Sequence, residues 1–526
     1  MLPSDQDHMV DRLPRAEAAF DLEVWRVMSQ CYGSTRRGTL QVVENWTGEF
    51  SKDSPRIFWL YGPPGIGKTA VAKSVASYAQ QHGFLAANFF FSLRIGRNCS
   101  DGMFLIPTIA HQLSSFHPTL KAFIAAALEE DAELPRRTIE AQFHNLFQQP
   151  LLLYLQQSSM NQEPETPIVI VLDGLDECGD HDMMEKILTK LVMLAPQLHP
   201  RLKLFLASRP ESHITSILRR QPKGCVHVYD FQNMERSCSA ADVEVYLRET
   251  LNDIAGRKQW DAAGPWPAPS DLAQLVVRAG GLFIYAATVV RFIERSLKIP
   301  SAALRIILDE SNKVARINPL APIDELYRTI LENAIASAQD PEAFTRYLQC
   351  ILVTVQTSKK TPAVPGPTIG YLTWVLQKEY VSIEAILQPL HSVLNVRSHR
   401  RIGWPGSLEA SDFIVTHHRS FNEFIQDETR CGAKLAVTSR AMKSFAILHF
   451  TLLNEGALDL DEGGLSQLEQ CLWVSVEVLD QYVLKFSTQG KSIKKWPMEL
   501  SSVVTRFFED ELPQMLVRLQ DKSLRD

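Results

Sequence analysis

The chain has 526 residues, which at about 150 residues per domain predicts three or four domains. Lysine and arginine number 54 against 60 aspartates and glutamates, so the formal net charge is −6, which argues against a protein that binds polyanions over its whole surface. Hydrophobic residues at 45% and charged residues at 22% are ordinary globular values and exclude a disordered or collagen-like chain.

Residues 1–50 form a polar lead followed by a predicted helix around Leu40–Trp46. Over residues 51–235, short apolar runs alternate with helical stretches. Near-continuous apolar strands separated by helices indicate a parallel sheet with helices on both faces, so this region is predicted to be α/β. The five predicted strands are Arg56–Tyr61, Phe84–Ser92, Pro167–Leu172, Leu202–Ala207 and Val226–Tyr229.

Helical periodicity replaces the strands after this region, over Asp242–Ile254, Leu272–Ile293 and residues 325–357. We expect a helical domain over residues 236–320 and a domain of winged-helix pattern over 321–430, where helices precede two β-like runs near 391–396 and 412–416. Residues 431–526 are predicted to be helical. No repeat of roughly 30–45 residues is present in the sequence, which excludes a solenoid or propeller built from such units.

A phosphate-binding motif follows the first predicted strand and fits the pattern G-x-x-x-x-G-K-[ST]. Its glycines let successive backbone N–H groups curl around phosphate oxygens, and the next helix points its positive end at the same anion. Lys68 is expected to reach the β- and γ-phosphates, and the Thr69 hydroxyl to ligate Mg²⁺. The predicted nucleotide-binding residues are Gly62, Pro63, Pro64, Gly65, Ile66, Gly67, Lys68, Thr69 and Ala70.

The third predicted strand ends in Asp173, which is the pattern of a Walker B strand. Its carboxylate is expected to bind Mg²⁺ directly or through a water ligand. Asp176 and Glu177 follow closely, and either is a candidate to orient or deprotonate an attacking water. A solvated loop or a helix N-cap is the alternative interpretation for this acidic pair.

Arg209 directly follows the fourth strand, where the carboxyl ends of parallel strands line the ligand crevice. We expect its guanidinium to contact the γ-phosphate, with a surface arginine as the alternative. The sequence has no [NT]KxD motif for guanine, which favours an adenine nucleotide. The predicted catalytic set is therefore Lys68, Asp176, Glu177 and Arg209, with Thr69 and Asp173 holding the metal.

These motifs resemble the NACHT class of STAND signal-transduction NTPases, in particular the large fungal group whose module is called the nephrocystin-3-like N-terminal domain. The segments LYGPPGIGKT, IVLDGLDEC and LASRPESHI carry the resemblance. Gly174 follows the Walker B aspartate here, whereas AAA+ motors usually place a glutamate there. Further similar blocks lie at 31–48, 89–92, 104–113, 280–293, 326–331 and 417–425.

The resemblance implies a switch that is closed with ADP, opens and self-associates with ATP, and is reset by slow hydrolysis. It implies a helical lid over 236–320 and a winged helix over 321–430. In related proteins a winged-helix histidine contacts the ADP β-phosphate, and the matching residue is His418. His417 is an adjacent competitor, and a histidine of the core or the surface is the alternative.

Relatives also carry a G-x-P motif near the base, and Phe283 stands here in place of that proline. This departure from the motif argues against the family's base contact here, and Phe283 is a candidate to pack near the adenine. Fungal relatives suggest non-self recognition or cell-death signalling through a protein effector. Many of them also carry an N-terminal effector and C-terminal repeats, so this chain is either a piece of a longer protein or a short relative.

Other features favour a cytoplasmic protein. The first ten residues lack a signal-peptide pattern, and no apolar run approaches the roughly 18 residues of a membrane span. The eight cysteines include no CxxC pair, so we interpret them as reduced, buried thiols.

Three other functions share parts of this pattern. An AAA+-like remodelling ATPase would hydrolyse ATP rapidly when a partner stimulates it. A nucleotide-binding scaffold would share every motif with the switch but would never hydrolyse its nucleotide. A nucleic-acid regulator would use the wing residues Arg397, His399, Arg400 and Arg401, but a solvated loop explains those cations more simply, so nucleic acid is not an expected partner.

Overall fold

A computed structural model of the chain divides it into two compact units, which are described one at a time. The first comprises Met1–Gly256 and Asp261–Ala287, and the second comprises Arg257–Trp260 and Thr288–Asp526. The structure describes residues 3–25, 30–93, 98–160, 166–221, 224–234, 238–260, 264–309, 320–357, 367–377, 380–402, 408–454, 504, 506 and 507.

Within the described part of the first unit, five strands lie close to the five predicted runs. They are β1 (Ile57–Tyr61), β2 (Leu85–Phe90), β3 (Ile168–Asp173), β4 (Leu202–Ser208) and β5 (Val226–Asp230). All pairings are parallel, in the order β2-β3-β4-β1-β5. Every residue of β1, β3 and β4 is buried, as expected for strands covered on both faces. The predicted α/β class is confirmed.

The helices of the first unit surround this sheet and connect its strands. They are α1 (Pro3–Asp11), α2 (Arg37–Thr47), α3 (Lys68–Gln81), α4 (Leu105–Phe116), α5 (Pro118–Glu130), α6 (Ile139–Gln142), α7 (Gln149–Met160), α8 (His181–Leu194), α9 (Ser212–Leu218), α10 (Phe231–Met234), α11 (Cys238–Arg257) and α12 (Pro269–Ala279). The next helix, α13 (Phe283–Arg295), begins in the first unit and ends in the second.

Two long helical predictions each contain a break. The run over 272–293 separates into α12 and α13 because Gly280 and Gly281 adopt left-handed φ angles of 54° and 81° and end the first helix. The run over 325–357 separates where the Asp340 side chain accepts hydrogen bonds from two backbone amides and so caps a new helix. Helical periodicity continues across both breaks, which hid them in the sequence.

The described part of the second unit is helical apart from one antiparallel strand pair. Its elements are α14 (Pro300–Asp309), α15 (Ala321–Ala336), α16 (Pro341–Thr357), α17 (Ile369–Leu376), α18 (Tyr380–Leu387), β6 (Leu394–Ile402), β7 (Leu408–Thr416), α19 (Arg419–Gln426), α20 (Glu428–Cys431) and α21 (Ser439–Asn454). Beyond α21, most of the predicted C-terminal helical region lies outside the described residues.

The core of the second unit joins α15 to the segment after β7. Tyr327 packs its ring against Phe421 and Phe424, with centroids 5.1 and 5.5 Å away. Arg430 donates two hydrogen bonds to the Asp324 carboxylate, at 3.0 and 2.6 Å. A planar guanidinium and a carboxylate match well in this two-point geometry, so the end of α20 is fixed on α15.

Three further predictions concern surface and membrane properties. No helix in the described ranges is both long and apolar enough to cross a bilayer. Six cysteines of the described part form no disulfide, and three of these are buried: Cys99, Cys178 and Cys431. The wing side chains of His399, Arg400 and Arg401 lie outside the described part, so the nucleic-acid alternative stays untested.

Candidate phosphate-binding site

The carboxyl ends of the strands bring the predicted site residues to one edge of the sheet. Tyr61 at the end of β1 pairs with Ser208 at the end of β4. Asp173 at the end of β3 pairs with Ala207. Because the strands are parallel, the loop after β1, Asp173 and Arg209 all lie at this edge.

The loop between β1 and α3 has the backbone that its glycines permit. Gly65 and Gly67 have φ angles of 77° and 107°, which side-chain-bearing residues rarely adopt. The α3 helix begins directly after Gly67, so its free N–H groups face the end of the loop. These features meet the backbone requirements for cradling a phosphate chain.

Lys68 reaches across this loop. Its Nζ donates hydrogen bonds to the carbonyl oxygens of Gly62 at 2.8 Å and Pro63 at 2.9 Å. Burial lowers the pKa of Lys68 to about 8, and the nearby Asp176 carboxylate opposes that shift. An ammonium desolvated in this way interacts strongly with any phosphate placed beside it.

Thr69 and Asp173 form the candidate metal site. Asp173 is buried at the end of β3, and Thr69 lies in the first turn of α3, directly after Lys68. Burial raises the pKa of Asp173 to about 7, whereas the nearby Thr69 hydroxyl and the Lys68 charge act in the opposite direction. A divalent cation would relieve this unfavourable burial of a carboxylate.

The donor set fits Mg²⁺ better than a protein-caged metal. A hydroxyl and a carboxylate are hard oxygen ligands, and Mg²⁺ typically takes one or two of these together with substrate phosphates and waters. Across the described residues, no group of three or more His, Cys, Asp and Glu side chains is arranged to hold a metal by itself. Thr69 and Asp173 therefore suit a cation that arrives with a nucleotide.

Asp176 pairs with Arg209, so it is a weaker candidate to act on a water than the sequence predicted. Its Oδ1 accepts a hydrogen bond from the Arg209 backbone N–H at 2.9 Å, and its Oδ2 lies 3.3 Å from Arg209 Nε. Both side chains are largely buried, 4% and 14% exposed. Glu177 is more accessible, and its Oε2 accepts from Leu93 N at 3.1 Å. Of the two predicted acids, Glu177 is the better placed to handle a water.

The backbone conformation at position 174 explains why a glycine follows Asp173. The φ of Gly174 is 73°, and a Cβ at this position would lie 2.8 Å from the Phe91 carbonyl oxygen. Any side chain would therefore force the acidic turn away from β2. A directly following glutamate, as in AAA+ motors, does not fit this backbone.

Arg36 also supports the phosphate loop, although it lies far from the loop in sequence. The sequence did not reveal this role. Arg36 Nη2 donates to the Ile66 carbonyl oxygen at 2.9 Å. The guanidinium carbon lies 4.6 Å from the Phe231 ring centroid and 4.7 Å from that of Phe283. Phe283 thus packs on Arg36 in this structure, and its predicted packing near adenine stays a prediction. The sequence placed Arg36 in a family-like block, but only the fold brings it to the loop.

The two candidate histidines have different surroundings in the second unit. His417 donates from Nε2 to the His391 carbonyl at 3.0 Å, and burial beside Arg291 lowers its pKa to about 3. His418 caps α19: its Nδ1 accepts from the Ser420 amide at 3.1 Å and lies 2.7 Å from the Ser420 hydroxyl. An amide can only donate, so neutral His418 carries its proton on Nε2. His418 thus has a defined donor nitrogen, whereas His417 is buried and hydrogen-bonded within the second unit.

Comparisons with known proteins find similarity over the part of the chain that contains the candidate site. Residues 39–209 match the family described as "Nephrocystin 3, N-terminal", a span that contains the phosphate loop, Asp173 and Arg209. The solved structure titled "Structure of Drosophila ORC bound to DNA" is similar at 12% identity over 76% of this chain and 96% of that chain. Its TM-score is 0.29, a similarity too low to assign a fold or a function. Comparison with curated proteins finds no match.

Proposed function

We propose that this protein is a cytoplasmic, STAND-type switch that binds ATP and ADP with Mg²⁺ and hydrolyses ATP slowly. The observation that carries the proposal is the placement of Lys68, Thr69 and the buried Asp173 carboxyl group at one edge of the sheet. These three groups come from the phosphate loop and from a different strand. A hydroxyl, a carboxylate and a cation meeting at a helix N-terminus suit a metal–phosphate ligand.

Each residue has a distinct part in the proposed chemistry. The loop amides and Lys68 hold the phosphates, and bound Mg²⁺ supplies charge neutralisation on the β- and γ-oxygens. Glu177 orients or deprotonates the attacking water. Arg209, held in place by Asp176, offers its guanidinium toward the γ-phosphate at the same edge of the sheet.

The proposed switch uses His418 as its second contact to the nucleotide. Neutral His418 donates from Nε2, which suits an ADP β-phosphate. A ligand that contacts two structural units shifts their equilibrium only by its differential affinity for the two states. We therefore expect ADP to favour the closed form and ATP the open, self-associating form that signals to a protein effector. By analogy with fungal relatives, the pathway is non-self recognition or cell death.

The test begins with the nucleotide that the purified full-length chain retains after denaturation, identified by chromatography. Near-stoichiometric ADP supports a closed switch. Binding of a fluorescent ADP analogue, with and without Mg²⁺, is then compared in the wild type, in Lys68→Ala and in the exposed control Lys52→Ala. We expect binding to be lost only in Lys68→Ala. A wild type that binds no adenine nucleotide contradicts the proposal.

Turnover separates the remaining alternatives. Slow hydrolysis with stable ADP retention supports the switch. Binding without any turnover identifies a scaffold, and rapid hydrolysis stimulated by a partner identifies a remodelling ATPase.

A further inference from the structure

Two outward carbonyl groups of the phosphate loop are held by residues from distant parts of the first unit. The Gly65 carbonyl oxygen accepts a hydrogen bond from the backbone N–H of Ile284 at 3.0 Å. The next carbonyl, on Ile66, accepts from Arg36 Nη2 at 2.9 Å in a buried environment. Both donors approach the loop from outside its own sequence.

Holding a carbonyl also fixes the direction of the amide that follows it. In a trans peptide the C=O of one residue and the N–H of the next point in opposite directions across one plane. Arg36 therefore fixes the Gly67 N–H to point away from itself, and Ile284 fixes the Ile66 N–H in the same manner. These two amides belong to the set that must converge on phosphate oxygens in such a loop.

Arg36 is itself unusually constrained. It is 3% exposed and has a left-handed φ of 60°, a conformation that is unfavourable for an arginine. Its backbone N–H donates to Asp242 Oδ2 at 3.0 Å, and its Nε lies 3.9 Å from the same oxygen. The Phe231 and Phe283 rings cover its guanidinium. Residues held in a strained conformation by so many partners are typical of functional positions.

We propose that Arg36 is a positioning residue that sets the peptide plane between Ile66 and Gly67, and so prepares the loop to bind phosphate. It does so while attached to α11 through Asp242 and to α13 through Phe283. A displacement of either helix would release the Ile66 carbonyl and lower the affinity for the phosphate chain. This inference rests on the proposed nucleotide binding, but it concerns the state of the loop before a ligand arrives.

The alternative role for Arg36 is a contact with the base, and a ligand without a base distinguishes the two. Binding of a fluorescent ADP analogue is measured directly, and inorganic tripolyphosphate with Mg²⁺ is measured by competition. The variants are Arg36→Lys, which keeps the charge but loses the planar donor, Phe283→Leu, and the double variant. The adjacent, exposed Arg37→Ala is the matched control.

We expect Arg36→Lys to weaken ADP and tripolyphosphate by the same factor, about tenfold, because one charged hydrogen bond is lost. Phe283→Leu should also lower the affinity for both ligands. The double variant should bind little more weakly than whichever single variant has the lower affinity, since both substitutions act through one contact. Arg37→Ala should match the wild type. A loss confined to ADP, or unchanged binding of both ligands, overturns the inference.

Hydrogen–deuterium exchange tests the same inference without any ligand. The Val71 amide donates to the Gly67 carbonyl at 3.1 Å, so it reports on whether that end of the loop is held. We expect faster exchange at Val71 in both single variants and no change in Arg37→Ala. Unchanged exchange overturns the inference even if the wild type proves unable to bind nucleotide, whereas that inability contradicts only the proposed function.

Discussion

Arg209 contacts both carboxylate oxygens of Asp176, one through its backbone amide at 2.9 Å and one from Nε at 3.3 Å. This buried pair ties the start of the segment after β4 to the acidic turn after β3. The two acidic residues therefore have different roles. Asp176 holds Arg209 in place, whereas the Glu177 carboxylate remains at the site. The next prediction separates these two roles.

Glu177→Gln should slow ATP hydrolysis by about 100-fold or more and leave nucleotide affinity and thermal unfolding unchanged, because it removes only a general base. Asp176→Asn should instead destabilise the protein by about 3 kcal/mol, because it removes the negative charge that faces the largely buried Arg209 guanidinium. Single-turnover kinetics and urea unfolding measure the two effects. Equal turnover in Glu177→Gln and wild type would assign no catalytic role to Glu177.

Asp173→Asn should abolish the contribution of Mg²⁺ to nucleotide binding. An amide is a weaker ligand for a hard cation than a carboxylate, so the affinity for ADP in Mg²⁺ should fall to the value measured in EDTA. The affinity in EDTA itself should stay close to the wild type. Titrations in both conditions measure this, and a Mg²⁺ effect of full size in the variant would remove Asp173 from the metal site.

His418→Ala should accelerate ADP release, and Ser420→Ala should do so to a smaller extent, because it removes the hydroxyl contact to the His418 ring and keeps the backbone amide contact. His418→Ala should also raise self-association. The off-rate of a fluorescent ADP analogue and light scattering measure these effects, with the exposed Lys434→Ala as control. ADP off-rates equal to the wild type in both variants would exclude the histidine contact.

His417 predicts a dependence of stability on pH. Its pKa is lowered from 6.5 to about 3 by burial, so the unfolded chain binds the proton more tightly than the folded one. The stability associated with neutral His417 is therefore present above about pH 6.5 and is lost as the pH falls toward 3. His417→Gln keeps a donor for the His391 carbonyl but cannot titrate, so its unfolding temperature should fall less steeply over this range. Parallel curves would contradict this.

Gly174→Ala should destabilise the protein by about 1–3 kcal/mol, because its φ of 73° is unfavourable for alanine and the new Cβ would meet the Phe91 carbonyl. Gly256→Ala is the matched control, since it lies in α11 and its Cβ would meet nothing within 4 Å. That change should be neutral or stabilising by up to about 1 kcal/mol. Urea unfolding compares the two.

The strands and the phosphate loop could be predicted because their signals are local. A run such as Ile168–Asp173 is apolar at every position but the last, and the loop motif lies between a strand and a helix in one continuous segment. The helix α3, Lys68–Gln81, follows the loop directly, as the motif predicts. In each case the residues that decide the structure are close neighbours in sequence.

The supports of the site could not be predicted because they join distant positions. Arg36 acts on Ile66 only once Phe231 and Phe283 cover it, and Asp176 meets Arg209 only when β3 and β4 pair. No periodicity encodes such contacts. The break between α12 and α13 was missed for a different reason, because apolar positions repeat on both sides of Gly280 and mask the turn.

The position of β4 between β1 and β3 has a consequence for biosynthesis. Thr69 and Asp173 cannot settle into their final places until the intervening strand, Leu202–Ser208, has left the ribosome. At common elongation rates, roughly ten seconds separate the emergence of the phosphate loop from that of β4. The apolar strand β1 is without its β4 neighbour for all of that interval, and β3 is without it for the last part. This stretch of the nascent chain is therefore a natural point for a chaperone to engage.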